Sequence, residues 1–284
     1  MTLWQQMPEG STILGPWFDK KAALTRSLCM RVDQFLDKDT GICRFDSEEF
    51  RDLIRFSDLF NDRAELWTDY VGKEHERIID GEQMLLYTAL NGFDDVCSNA
   101  AQLGDQPIYV GLPGVSGNGS AFDIPMGLAM SASCRHKEAA WRFLRGTLDA
   151  NRQLAHARGE FTSPFPTNRR AFDALLEDAM REEYVKNDKG EYVLDANGAR
   201  LRQPKFTIAS GYGTDTIPVY AMTEQQAAQL LALIEGITCM EYWDDAVMDV
   251  VYDEIERYYS GQKSLELVTA DIQKRMSLYM EEQK

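Results

Sequence analysis

No run in this chain is long and apolar enough to span a bilayer, so no transmembrane helix is expected within it. Cysteine is sparse and odd in number. The five residues Cys29, Cys43, Cys97, Cys134 and Cys239 form no Cys-x-x-Cys pair, so buried free thiols are expected rather than a disulfide framework. Only three histidines occur, His75, His136 and His156, and neither they nor the cysteines have the spacing of a zinc site. No metal or other cofactor is therefore expected. Basic residues are in deficit, 30 against 46 acidic, giving a net charge of −16. That balance disfavours nucleic acid, which needs a basic face to displace counterions, and anionic membrane surfaces for the same reason. Residues 1–10 contain neither a basic n-region nor an apolar h-region, so the chain as written is expected to stay in the cytosol.

What is present is an ordinary globular composition, 44% apolar and 27% charged, over 284 residues. That length suits one large domain or two small ones. Apolar spacing predicts a helix over residues 22–36, then a turn at Gly41 and a short strand over 42–45. Asp46 with Glu49 reads as a capping box opening a helix whose buried face carries Phe50, Leu53, Ile54 and Phe60. Further on, Ala140, Phe143, Leu144 and Leu148 mark the buried stripe of a helix beginning at His136, with Trp141 packing beside it. Phe172, Leu175, Leu176, Ala179 and Met180 mark another helix. Lys189-Gly190 and Asn197-Gly198 signal hairpin turns. Thr223 and Gln226 form a capping box, and two helices, about 244–259 and 265–279, close the chain, separated by a Ser260-Gly261 stop and a Ser264 cap. The fold class expected is helix-rich α/β, without internal repeats.

Residues 107–145 carry the most information. Ile108-Tyr-Val110 and 124–130 read as short strands on either side of a glycine-rich ribbon, residues 111–120. The ribbon is not a phosphate loop, because no Lys-Ser/Thr follows and the next element is a strand, not a helix N-terminus. Gly114-Val-Ser-Gly-Asn118 misses the last glycine of an esterase elbow. A crossing between two lobes is the better reading.

Several segments, taken in order, resemble family 1 extracellular solute-binding proteins, the sugar-type receptors of ABC importers. They are Phe45-Asp-Ser-Glu-Glu-Phe50, Gly81-Glu-Gln-Met-Leu-Leu-Tyr87, Lys137-Glu-Ala-Ala-Trp141, Phe165-Pro-Thr-Asn168, Ile217-Pro-Val-Tyr-Ala-Met-Thr-Glu224 and Tyr258-Tyr-Ser-Gly-Gln-Lys-Ser264. The resemblance implies a periplasmic-binding-protein-like type II fold that closes two lobes on a ligand. It leaves out the family's signal peptide or lipobox and most of the βαβ units of its first lobe. It therefore implies a nearly complete second lobe (1–111 and 168–284), a partial first lobe (112–167), and weak sugar binding by this chain alone. The intact family is extracellular or anchored as a lipoprotein, and its partners are a small solute and an ABC permease.

Sugar recognition needs flat apolar faces and polar groups for hydroxyls. On the resemblance, the ligand-binding residues would be Trp243, Tyr87, Tyr212, Asn91, Phe93, Trp17 and Asp244, with core packing as the alternative for each aromatic. No residue is given a catalytic role, so the chain is expected not to be an enzyme. Two rivals remain: a carbohydrate-active hydrolase using acid pairs such as Asp94-Asp95 or Glu182-Glu183, and an acidic helical module that docks a basic partner.

Overall fold

Helices form wherever the 3.6-residue apolar spacing meets a local cap. In the computed structural model, which describes residues 6–69, 73–104, 107–112, 118–124, 127–159, 164–209 and 215–283, they are α1 (Lys20–Cys29), α2 (Val32–Phe35), α3 (Glu48–Ser57), α4 (Glu74–Ile79), α5 (Phe93–Leu103), α6 (Lys137–Thr147), α7 (Ala150–Gly159), α8 (Arg169–Met180), α9 (Glu224–Gly236), α10 (Asp245–Tyr259) and α11 (Leu265–Glu282). The strands are short: β1 (Leu36–Asp37), β2 (Ile42–Cys43), β3 (Ala121–Phe122), β4 (Glu183–Tyr184), β5 (Arg202–Gln203), β6 (Phe206–Ala209), β7 (Thr216–Val219) and β8 (Cys239–Met240). They pair as β1-β2, β4-β5 and β6-β7, all antiparallel, and β3-β8, parallel. The class is thus mixed α/β and rich in helix. Among the described residues, no helix is long and apolar enough to cross a membrane.

The chain divides into two compact units, one of Met1–Leu86, Tyr109–Asp123 and Leu233–Lys284, the other of Tyr87–Ile108 and Ile124–Ala232. These boundaries differ from the expected ones: residues 87–108 and 168–232 join 124–167, and the glycine-rich ribbon lies inside the first unit. Its anchors explain why. The amides of Gly111 and Leu112 donate to the carbonyls of Asn118 and Gly119, at 3.1 and 2.9 Å, folding the ribbon back on itself. Asn118 then donates through Nδ2 to the Leu233 carbonyl at 2.9 Å. The backbones approach so closely that a Cβ on Gly111 would lie 1.8 Å from the Gly119 carbonyl carbon, and Gly119 itself has a φ of +78°.

The first unit is organised by one core. Leu24 and Leu28 of α1, Phe50 and Ile54 of α3, Val251 and Ile255 of α10, and Ile272 and Met276 of α11 are all buried within it. Phe35, Phe45 and Phe50 meet with centroids 5.1–6.1 Å apart. Gln273 of α11 fixes β2 beside them, accepting from the Phe45 amide at 2.7 Å and donating to the Cys43 carbonyl at 3.1 Å. Each such large side chain contributes about 1.5–3 kcal/mol by leaving water. Ser264 caps α11 by accepting from the Leu267 amide, and Gly261 (φ +72°) turns the chain before it, as expected. At the start of α3 the cap is Ser47, not Asp46. The expected helix over 22–36 also breaks at Met30–Arg31, where Arg31 turns inward and donates to the Leu112 carbonyl at 3.3 Å.

In the second unit Phe93 and Val96 of α5, Ala171 of α8, Val219 of β7 and Leu230 of α9 are buried. The Thr223–Gln226 capping box at α9 is formed reciprocally, with bonds of 2.9 and 3.2 Å. Both hairpin turns form, with Gly190 and Gly198 in the left-handed region at φ +78° and +81°. Two expectations fail here. Residues 127–130 pair with no strand, and Leu128 and Met130 are exposed. The stripe of α6 is not buried either: no α6 side chain is buried, and Trp141, Phe143 and Leu148 are exposed. The periodicity is that of a core helix, but no element packs over this face.

Candidate ligand-binding site

In the first unit, the segment between β8 and α10 carries an acidic and aromatic run, Glu241-Tyr-Trp-Asp-Asp245. It is tethered at two points, with the Glu241 amide donating to the Phe122 carbonyl and the Tyr242 amide to the Cys29 carbonyl, each at 2.8 Å. Asp244 caps α10, its Oδ1 accepting from the amides of Ala246 and Val247 at 3.0 and 3.2 Å. Its Oδ2 accepts from Lys38 Nζ at 2.6 Å, and Lys38 also donates to the Tyr242 hydroxyl at 2.5 Å. Lys38 lies 4.8 Å from the Tyr242 ring centroid. Burial pushes the Asp244 carboxyl up, but the Lys38 ammonium and the Val247 and Ala246 amides outweigh it, and the group lies below its ordinary value. The Asp244 bond, then the Tyr242 bond, raises Lys38 above the usual lysine range.

Trp243 stands on this scaffold 54% exposed. Its Nε1 donates to Asp245 Oδ1 at 2.7 Å, which fixes the ring without covering it. A flat apolar face therefore sits beside a carboxylate with a second oxygen to offer. This arrangement can stack a ring and accept hydroxyl protons. Asp244 is committed to its cap and to Lys38, so it acts here by holding the segment. Trp17, also in the first unit, is half-buried, and its indole lies over Gly15, where a Cβ would come within 2.1 Å of the ring.

Three other expected residues fall in the second unit. Phe93 is enclosed by Phe165 and Phe172, each at a centroid distance of 5.1 Å, a packing position. Asn91 is exposed, and its amide and side chain both donate to Asp95 Oδ2, at 2.6 and 3.3 Å. Tyr87 is half-buried at the start of the unit. Tyr212 lies outside the described residues. The structure thus brings Trp243 and Asp244 together in one scaffold and places Tyr87, Asn91 and Phe93 in another unit.

Lys38 and the Tyr242 hydroxyl are the participants that sequence reasoning missed. The turn around Asp37–Gly41 was legible, but a lysine in a turn has no local sign of an acid partner 206 positions away. The acid pairs have structural duties. Asp95 accepts from the Asn91 and Gly92 amides. Glu182 accepts from the Tyr184 hydroxyl and pairs with Arg202 at 3.3 Å, and Glu183 pairs with Lys205 at 3.1 Å. Asp94 is pushed above its ordinary value by burial and by the charge of Asp95. Among the described residues, no group of three or more His, Cys, Asp or Glu is placed to hold a metal ion. No protein-family model matches the chain, and no curated protein matches it.

Proposed function

We propose that this chain is a solute-binding protein of the kind its sequence resembles, taking a small carbohydrate as ligand and serving an ABC importer. The observation that carries this reading is the Trp243 indole, exposed and yet pinned through its N–H to Asp245. A core tryptophan would be covered, and an incidental surface tryptophan would have no such anchor. Support of a coarser kind comes from the division of a helix-rich α/β chain into two compact units. The type II receptor topology, the extracellular setting and the permease partner belong to this proposal through the sequence resemblance alone.

Saturation-transfer NMR with a panel of mono- and oligosaccharides tests it. Transfer to one or more sugars is expected, with a dissociation constant in the millimolar range, about −4 kcal/mol. Trp243→Ala is expected to leave the circular dichroism spectrum and unfolding midpoint unchanged and to weaken binding about tenfold. Absence of transfer to every sugar, or transfer that Trp243→Ala leaves intact, refutes the assignment. Any product formed from an oligosaccharide speaks for a hydrolase instead.

A further inference from the structure

A second surface is independent of that reading. Helix α6 has an apolar arc running from Phe143 through Ala140, Leu144 and Leu148 to Trp141, about 160° of its circumference at 100° per residue. Glu138, Arg142 and Arg145 occupy the opposite side. Trp141, Phe143 and Leu148 are 51%, 63% and 53% exposed. An uncovered apolar face of this size marks an interaction site.

The charges around it say what kind of surface would cover it. Between residues 127 and 152, Arg135, Lys137, Arg142, Arg145 and Arg152 are set against only Glu138 and Asp149, within a chain of net charge −16. Elsewhere bases are taken up by acids: Lys20, Lys21, Arg26, Lys38, Arg51 and Arg55 all form ion pairs. Around α6, Arg142 pairs with Glu138 at 3.6 Å, a contact open to solvent on both sides. Among the described residues, Arg135, Lys137, Arg145 and Arg152 pair with no acid. Tryptophan and arginine around an apolar centre, with lysine rare, is also the composition of binding hot spots.

We propose that α6 docks an acidic protein partner, one that presents an amphipathic helix with an apolar ridge bordered by Asp and Glu. The ridge would lie along Trp141, Phe143 and Leu148, and the flanking carboxylates would meet Arg142 and Arg145. A two-fold pairing of α6 with its own copy is disfavoured, because it would set two arginine rims against each other. An anionic membrane is disfavoured by the net charge of the whole chain.

The probe is a labelled peptide of about 18 residues, built from Leu, Ala and Glu with leucines at helical spacing. Fluorescence anisotropy with the full chain is expected to show binding that weakens as salt rises. The same peptide with Lys in place of Glu should not bind. Trp141→Ser with Phe143→Ser is expected to reduce binding at least about tenfold, and Arg142→Glu with Arg145→Glu to reduce it similarly and to flatten the salt dependence. All four side chains are exposed, so circular dichroism should match the parent. Failure of the acidic peptide to bind overturns the proposal, as does binding that both double variants retain. Binding to phosphatidylserine vesicles in place of the peptide, or a dimer that Trp141→Ser dissociates, overturns it in favour of a lipid or a second copy.

Discussion

One methyl group at residue 111 has nowhere to go. In Gly111→Ala the new Cβ would fall 1.8 Å from the Gly119 carbonyl carbon, which is backbone and cannot rotate aside. The ribbon must open and lose the Gly111–Asn118 and Leu112–Gly119 bonds. Urea unfolding should show a loss of about 1–3 kcal/mol, and an unchanged midpoint would mean that the two strands of the ribbon do not approach as described. Asp244 offers a finer test, since cap and charge can be removed separately. Asp244→Ala removes both and should cost about 1–2 kcal/mol. Asp244→Asn keeps a capping oxygen and loses only the pair with Lys38, which is 45% exposed, so less than about 1 kcal/mol is expected. Because the folded carboxyl lies below its unfolded value, this charge contribution is complete above the unfolded carboxylate pKa, about 4, and fades as pH falls through the lower folded value. Denaturation of parent and Asp244→Asn across pH 2–7 should thus converge at the acid end, and a gap that widens there would contradict the pairing.

At the scale of elements, burial decides which helices are held firmly. Helices α10 and α11 bury Val251, Ile255, Ile272 and Met276 in one core, and Glu254 between them accepts from Arg257, Lys263 and Arg275 at 2.9–3.2 Å. Helix α6 buries nothing. Hydrogen exchange should therefore find amides of α10 and α11 at least about a hundredfold slower than those of α6, and equal protection would show that α6 is covered after all. The same contrast explains what the sequence disclosed. The Thr223–Gln226 box, the Ser264 cap and the turns at Gly190 and Gly198 are set by neighbouring residues, so they were legible. The break at Arg31 was not, since its cause is a carbonyl at Leu112. Burial of the α6 stripe was misread because periodicity states which side is apolar but not whether anything lies on it. The site followed the same rule: Trp243 and Asp244 were visible as residue types in a promising run, whereas the Lys38 clamp was not.

For the whole molecule, the decisive feature is that the first unit draws its core from both ends of the chain. α1 and α3 lie near the beginning, α10 and α11 near the end, and residues 87–108 and 124–232 form the other unit in between. Ending the chain after residue 263 should therefore abolish the cooperative transition of the first unit rather than trim it, read by near-ultraviolet circular dichroism in urea. A truncated chain with an unchanged midpoint would show that α1 to α3 form a sufficient core alone. The arrangement also sets an order of events on the ribosome. Leu24, Leu28, Phe50 and Ile54 emerge long before Val247 and Ile272. At 5–20 residues per second they wait roughly 10–40 s for their partners. During that interval the intervening segment is free to fold first, while a greasy nascent ridge stands unprotected, so efficient production of this polypeptide calls for a holdase chaperone that shields its opening helices until translation ends.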